Sequence, residues 1–166
     1  LQALRMPATV FAIGQWLESE PAIAKQILDH GNELANHTYS HPTLSSLGEA
    51  AVRTEIEKCK EVLIRLTGNP GKWFRPSSED ARPPDTILRA AMQSGYPTVV
   101  GFDVDPLDYQ EPTASTITSR IAANIKPGSI VSLHFGHRNT IRALDGIAGL
   151  LRERKLQPVT VSDLLS

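Results

Sequence analysis

One pair of histidines is spaced for metal binding. His37 and His41 lie four residues apart in the stretch ANHTYSHPTL, and Pro42 follows the second of them. Residues four apart share one face of a helix, so two imidazoles at this spacing can converge on one metal ion. The alternative is a polar loop with two solvated histidines, because an H-x-x-x-H pair by itself is a weak motif.

Composition excludes several classes of protein. The 166 residues suit a single domain, 40% of them are hydrophobic and 21% charged, and the net charge is −1. No basic field indicates a nucleic-acid partner, and no apolar stretch approaches the ~18–20 residues that span a bilayer. The only cysteine, Cys59, cannot form an internal disulfide, and its helical context favours a core residue over a nucleophile.

The elements that must position these side chains alternate between strands and helices. Short apolar runs predict strands at ATVFAIG, ELANH, KWFRP, PTVVGFDV, SIVSLHF and QPVTV. Helices are predicted between them at SEPAIAKQILDHGN, SSLGEAAVRTEIEKCKEVLIRLTG, PPDTILRAAMQSGY, TASTITSRIAANIKPG and NTIRALDGIAGLLRERKL. This alternation predicts an α/β fold built from βα units around a parallel sheet or barrel.

Polar residues follow these predicted strands, at the carboxyl ends where such folds gather functional groups. In chain order they are His37 and His41 after the second strand, Arg75 after the third, Asp105 and Asp108 after the fourth, and His134 at the end of the fifth. Solvated surface residues are not expected to fall in this pattern, so it favours the metal-site hypothesis.

Four segments occur in a recognisable order: HTYSHP, FRPSS, DVDPLDY and IVSLHFG. With them the sequence resembles the polysaccharide deacetylase family, the NodB homology domain of carbohydrate esterase family 4. The family motif H-[ST]-x-x-H-P is intact at residues 37–42, and the L-x-L-H element corresponds to residues 131–134, where valine stands first. Each match is weak alone, but four in register are specific, and the resemblance covers nearly the whole chain.

The resemblance implies both a fold and a reaction. The fold is a distorted (β/α) barrel of NodB type, here one domain over residues 1–166. The reaction is metal-assisted removal of N- or O-acetyl groups from an acetylated polysaccharide or oligosaccharide. A divalent ion, usually zinc, is held by two histidines and an aspartate, and by this likeness His37 and His41 are metal ligands. Such an ion can lower the pKa of its water to ~7 and polarise the acetyl carbonyl.

The resemblance also implies the proton donor. His134 is expected to be the general acid that protonates the leaving amine or alcohol, and Asp108 the carboxylate that orients it, with Asp105 the less favoured choice. The alternative for His134 is a strand-end histidine bonded to a backbone carbonyl. Arg75 is expected to brace the catalytic base, and its alternative is a surface salt bridge.

Substrate contacts are implied at three further positions. The backbone N–H of Ser78 is expected to donate to the oxyanion, Tyr109 to present a flat face to a sugar ring, and Leu133 to line the groove. Trp73 is a second candidate for sugar stacking, although a core position is favoured for it. His30 and His137 match no motif and are predicted to be solvated.

The largest departure from the family pattern concerns a pair of aspartates. The family's opening strand carries a T-F-D-D-type motif that supplies the general base and the third metal ligand, and these 166 residues contain no such motif in register; GFDVD resembles it only superficially. The N-terminal strand is therefore expected to be missing. An incomplete domain of this kind would have little activity alone, and its open strand edge would favour self-association.

Smaller departures affect the substrate groove. The family shows R-P-P-Y or R-P-P-F where this chain has RPSS, so Ser77 and Ser78 replace the second proline and the aromatic residue. The family's D-x-x-D-W ends here in Tyr109, and Phe135 stands where an acid follows the last histidine.

The leading hypothesis is a metal-dependent polysaccharide deacetylase, a hydrolase of carbon–nitrogen bonds in acetylated amino sugars. Acetylxylan esterase activity would be the same reaction with an oxygen leaving group. The alternative is a catalytically impaired module of the same fold that binds carbohydrate without turnover. An unrelated two-histidine metallohydrolase ranks last, because it leaves the ordered motifs to chance. Family members act on envelope or extracellular polymers, so a secreted or cell-envelope protein is expected. The polymer, whether chitin, peptidoglycan or xylan, stays open.

Overall fold

The computed structural model describes residues 1–78 and 83–166. These residues form two compact units. Residues 9–101 make up the N-terminal unit, and residues 1–8 together with 102–166 make up the C-terminal unit.

The N-terminal unit begins with a parallel βαβ arrangement. Strand β1 (Thr9–Ala12) pairs in parallel with β2 (Glu33–Asn36), and both predicted strands are confirmed. Two helices connect them, α1 (Gly14–Ser19) and α2 (Pro21–Asp29), where the sequence predicted only the second. Proline suits the first position of α2, where its missing N–H has no helical partner.

Two further helices complete this unit. Helix α3 (Glu49–Thr67) buries the predicted apolar stripe and ends at Gly68, which takes a left-handed φ of 73°. Helix α4 (Asp85–Gln93) follows a pair of prolines. Cys59 of α3 is fully buried, and burial raises the pKa of its thiol to about 12, so this side chain is core.

The remaining predicted strands are reduced to isolated parallel bridges. Asn36 bridges to Phe74 and Phe74 to Val99 in the N-terminal unit, and Val104 bridges to Val131 in the C-terminal unit. The prediction of a strand at 157–161 is wrong, because those residues have no ladder before α7 begins. Prolines at 76, 97, 106 and 158 remove backbone donors from these segments. The α/β architecture with parallel pairing is confirmed, but within the described residues only β1 and β2 form a regular ladder.

The C-terminal unit is built on two packed helices, α5 (Ala114–Asn124) and α6 (Arg138–Glu153), followed by the short α7 (Val161–Leu164). The hydroxyl of Thr113 caps α5 by accepting the N–H of Thr116. The core between the helices consists of buried aliphatic side chains and one methionine: Met6, Val104, Ile117, Ile121, Ala143, Ile147 and Ala148. No helix in the described part of the chain is long and apolar enough to cross a membrane.

Gly14, the first residue of α1, has little free space around it. A β-carbon there would lie 2.7 Å from Cδ2 of Tyr39 and 3.3 Å from Cα of Cys59. We expect Gly14→Ala to lower the free energy of unfolding by about 1–3 kcal/mol through overpacking. The matched change Gly149→Ala in α6, where the nearest atom is 4.0 Å away, should raise it by about 0.5–1 kcal/mol. Urea unfolding followed by circular dichroism measures both, and a Gly14→Ala protein as stable as the wild type would contradict this packing.

Candidate functional site

A loop, not a helix, brings the histidine pair together. The residues after β2 turn sharply because Thr38 and His41 take left-handed φ values of 69° and 60°. As a result the rings of His37 and His41 lie 5.0 Å apart between centroids, at an interplanar angle of 72°. The helical argument for the spacing is therefore wrong, although the two rings lie close together.

A buried asparagine anchors the start of this loop. The Nδ2 of Asn36, the last residue of β2, donates to the Ile56 carbonyl at 2.9 Å and to the Tyr96 hydroxyl at 3.1 Å. Its Oδ1 accepts the backbone N–H of Thr38 at 3.0 Å. Sequence reasoning missed Asn36, but a polar residue inside an apolar strand was the available signal.

Two further side chains hold the rest of the loop. The Glu55 carboxylate accepts the backbone N–H groups of Tyr39 and Ser40 at 3.0 and 2.8 Å. The hydroxyl of Ser77, fully buried, donates to the Pro42 carbonyl at 2.7 Å and accepts from the Thr38 hydroxyl at 3.1 Å. A proline at position 77 could make neither bond. The departure from the family pattern at this position thus supports the histidine loop.

The hydrogen bonding of the pair fits a divalent metal ion. The Nδ1 of His37 lies 2.8 Å from the Arg75 carbonyl, which can only accept, so Nδ1 carries the hydrogen and Nε2 carries the lone pair. Metal-ligating histidines commonly use this arrangement. His41 is exposed, and its ring makes no hydrogen bond within residues 1–78 and 83–166. Those residues gather no group of three histidine, cysteine, aspartate or glutamate side chains that could hold a metal ion.

Arg75 and Ser78 lie on the segment beside the histidine loop. The backbone of Arg75 donates to the Asn36 carbonyl at 3.0 Å, and its carbonyl receives His37. Ser78 is exposed and takes a left-handed φ of 52°. Their predicted roles, bracing a base and donating to an oxyanion, stay predictions.

The C-terminal unit contains a buried carboxylate bonded to an imidazole. Asp108 is fully buried, and its Oδ1 accepts Nδ1 of His134 at 2.7 Å. Its Oδ2 accepts the backbone N–H of His134 at 2.8 Å and the Thr140 hydroxyl at 2.7 Å. His134 therefore has a carboxylate partner, not a backbone carbonyl. The carboxylate of Asp105 instead accepts the N–H of Leu107 at 2.8 Å and closes a turn.

The environment of Asp108 keeps it ionised. Burial raises the pKa of the Asp108 carboxyl, but hydrogen bonds from His134 and Thr140 outweigh this effect and hold the pKa below its ordinary value of 3.8. A buried carboxylate hydrogen-bonded to Nδ1 fixes the tautomer of His134. Its Nε2 therefore lies on the side of the ring away from Asp108.

The surroundings of His134 are partly open. Its side chain is 38% exposed, and the Tyr109 ring stands edge-on at 5.1 Å between centroids. Leu133 is half-buried and packs against the core of the unit. Trp73, in the other unit, is buried, as favoured from the sequence. The roles of Tyr109 and Leu133 in substrate binding stay predictions.

Two contacts near His134 were missed or misread from the sequence. Thr140, on the first turn of α6, gave no motif signal, yet it is buried and bonded to Asp108. His137 was predicted to be solvated, which is wrong, because its Nδ1 lies 2.6 Å from Oε1 of Glu111 and its side chain is only 26% exposed. His30 is exposed, as predicted.

The lowered pKa of Asp108 makes part of the stability depend on pH. A carboxyl whose pKa is lower in the folded state stabilises that state above its unfolded pKa, and the contribution is lost as the pH falls through the folded pKa. We expect Asp108→Asn to be less stable than the wild type at pH 7. The difference should shrink as the pH falls below 3.8. Thermal unfolding of both proteins from pH 7 to pH 2 measures it, and a constant difference would contradict the ionised, hydrogen-bonded carboxylate.

Comparison with known proteins agrees with the order of the motifs. The family model described as polysaccharide deacetylase matches residues 1–99. A curated peptidoglycan-N-acetylglucosamine deacetylase of Bacillus cereus is 33% identical over 168 aligned positions, covering 99% of this chain and 60% of that protein. The chain thus spans about three fifths of that relative's length.

Solved structures share the fold. The structure of a peptidoglycan N-acetylglucosamine deacetylase bound to a naphthalenyl N-hydroxybenzamide superposes with a TM-score of 0.90 at 32% identity, covering 99% of this chain and 77% of that one. A carbohydrate esterase family 4 pseudoenzyme from Bacillus anthracis superposes with a TM-score of 0.89 at 27% identity, covering 99% of this chain and 59% of that one. A mutant of that pseudoenzyme has restored enzymatic activity.

Proposed function

The chain belongs to the polysaccharide deacetylase family, and on this premise we propose that the protein is a metal-dependent hydrolase that removes acetyl groups from an acetylated polysaccharide. The observation that carries the proposal is the half-exposed imidazole of His134, bonded through Nδ1 to the fully buried carboxylate of Asp108. A buried, ionised partner stabilises the imidazolium and leaves Nε2 to exchange a proton with substrate.

The proton transfer follows from this pairing. Protonated His134 donates from Nε2 to the leaving nitrogen or oxygen of the sugar as its bond to the acetyl carbon breaks. Asp108 does not take up this proton, because its three hydrogen bonds hold the carboxylate in its ionised form. Thr140 and the backbone N–H of His134 keep it in place through the cycle.

His37 and His41 would hold the divalent ion, for which zinc is proposed, through imidazole nitrogens. When bound, the ion supplies Lewis-acid polarisation of the acetyl carbonyl and of the attacking water. The hydrogen bond from His37 Nδ1 to the Arg75 carbonyl supports this assignment, because it orients the ring and keeps the lone pair on Nε2.

Other residues would serve the substrate. We propose that the backbone N–H of Ser78 donates to the developing oxyanion, that Tyr109 packs on a sugar face, and that Leu133 lines the substrate groove. Arg75 is proposed to orient the general base. We propose that residues 1–166 belong to a single domain of this family, and the superposition of a solved relative over 99% of the chain supports this.

We propose peptidoglycan as the first substrate to test, because the similar Bacillus cereus protein carries that name. A secreted or cell-envelope location follows from such a substrate. The test is release of acetate and appearance of a free amine from acetylated peptidoglycan fragments and from N-acetylglucosamine oligomers, with acetylated xylan as the O-linked comparison. Acetate from amino sugars alone supports N-deacetylation; no acetate from any of the three would refute the proposal.

A second candidate function is carbohydrate binding without turnover. It is favoured by RPSS in place of the family's R-P-P-aromatic sequence, because Ser77 and Ser78 leave that motif of the family's catalytic site incomplete. The similarity to a pseudoenzyme at 27% identity also supports it. Oligosaccharide binding with no acetate release would favour this candidate.

A further inference from the structure

Two segments of the C-terminal unit are joined by two carboxylate–imidazole pairs. We call Asp108–His134, at 2.7 Å, the inner pair and Glu111–His137, at 2.6 Å, the outer pair. In both pairs the partners are 26 residues apart, so segments 108–111 and 134–137 run side by side. The outer pair repeats the arrangement of the inner pair at a more exposed position.

Stability alone explains the outer pair poorly. The side chain of Glu111 is 56% exposed, and an exposed ion pair contributes little to folding. Glu111 also takes a left-handed φ of 56°, a conformation that costs free energy for any residue except glycine. Strained positions of this kind cluster at functional sites.

The outer pair presents a hydrogen-bond acceptor beside the proposed acid. The carboxylate of Glu111 can only accept, so Nδ1 of His137 carries a hydrogen, and in the neutral ring the lone pair lies on Nε2. Within residues 1–78 and 83–166 this Nε2 makes no hydrogen bond. The His137 ring lies 6.4 Å from the His134 ring, centroid to centroid, at 90°. Tyr109 stands 5.1 Å from the His134 ring.

We propose that His137 is a saccharide-binding residue whose Nε2 accepts a hydrogen bond from a sugar hydroxyl, on the acetylated sugar or its neighbour in the chain. A neutral imidazole acceptor suits an O–H donor, which every sugar ring of a polysaccharide carries. Glu111 fixes the tautomer. This inference rests on the proposed function, because it takes the sugar to lie against His134 when the acetyl group leaves.

Two substitutions separate the proposed hydrogen bond between His137 Nε2 and a sugar from the hydrogen bond between His137 Nδ1 and Glu111. His137→Asn places an amide near the Nδ1 position, so the bond to Glu111 can be kept while the Nε2 acceptor is lost. His137→Gln places its amide near the Nε2 position, so the acceptor can be kept while the bond to Glu111 is lost. The probe is the tetramer of N-acetylglucosamine, with Kd measured by calorimetry and kcat and KM by acetate release. Thermal unfolding checks that both variants fold.

We expect His137→Asn to raise Kd and KM about 3–10-fold, the loss of one hydrogen bond, with kcat changed less than twofold. His137→Gln should bind more tightly than His137→Asn. The opposite order, a fall in kcat at unchanged KM, or a wild type that does not bind the tetramer would overturn the inference. Kd needs no turnover, so absent acetate release refutes the proposed function, whereas the order of the Kd values decides this inference.

Discussion

His134→Ala is expected to lower the rate of acetate release by about 10²–10⁴-fold, the usual contribution of a general acid. The leaving amine is a poor leaving group without a proton, and no other imidazole is held by a fully buried carboxylate in the described residues. Zinc binding should be unchanged, because the proposed ligands are His37 and His41. Acetate release and zinc titration of the same preparation measure the two effects.

The matched control is His30→Ala, which removes an exposed histidine at the end of α2. It should leave both rate and zinc affinity as in the wild type. Asp108 keeps its bonds to Thr140 and to the backbone N–H of residue 134 in the His134→Ala protein, so the fold should persist. A folded His134→Ala protein with the wild-type rate would show that the proton comes from another group.

His41→Asn is expected to abolish both metal binding and turnover. Substituting a residue that hydrogen-bonds to a metal ligand commonly lowers metal affinity by about 10–100-fold. Loss of one of the two imidazole ligands themselves should therefore lower it by more than about 100-fold. Asparagine is chosen because residue 41 has a left-handed φ of 60°, which asparagine tolerates better than alanine. The measurement is zinc affinity by competition with a chromophoric chelator, alongside acetate release.

His30→Asn provides the control for a histidine-to-asparagine change outside the loop. Thermal unfolding of metal-free proteins should show His41→Asn within a few degrees of the wild type, because the His41 ring is exposed. Retained zinc affinity in His41→Asn would remove His41 from the ligand set and restore the alternative of a solvated loop histidine.

The sequence predicted those parts of the site that local motifs specify. HTYSHP located the two neighbouring histidine rings, and D-P-L-D-Y with V-S-L-H located the inner pair, with Asp108 preferred to Asp105. The helical explanation for the histidine spacing failed because the backbone at Thr38 and His41 is left-handed. This conformation depends on hydrogen bonds to the loop from side chains that the motif does not contain, those of Asn36, Glu55 and Ser77.

Long-range pairs were beyond sequence reasoning. Nothing in the spacing of Glu111 and His137 marks them as partners, because their contact depends on two segments running side by side. Thr140 likewise belongs to a helix whose apolar pattern predicts only packing. Its hydroxyl reaches Asp108 because α6 begins at Arg138, which places Thr140 in the first turn of the helix.

The positions of most helices and strands could be predicted from the sequence, but the extent of the hydrogen-bonded strand pairing could not. Apolar periodicity located β1, β2 and the long helices, and glycine at position 68 marked the end of α3. The later predicted strands are short apolar runs, and three of the four contain a proline. The apolar pattern alone does not distinguish an isolated bridge from a regular ladder in such runs. Helix α1 was missed, because a helix-start signal was found only at Ser19 and Pro21, which precede and open α2.

The most direct test of metal-dependent deacetylation is acetate release from an N-acetylglucosamine oligomer as the metal-stripped protein is titrated with zinc. We expect no release from the stripped protein, a low rate that rises to saturation near one zinc per chain, and no restoration at the same zinc in the His41→Asn protein. The rate should be low because the family's aspartate-pair motif is not among these 166 residues. A stripped protein that keeps the full rate, or an oligomer that binds without releasing acetate at any zinc concentration, would contradict it.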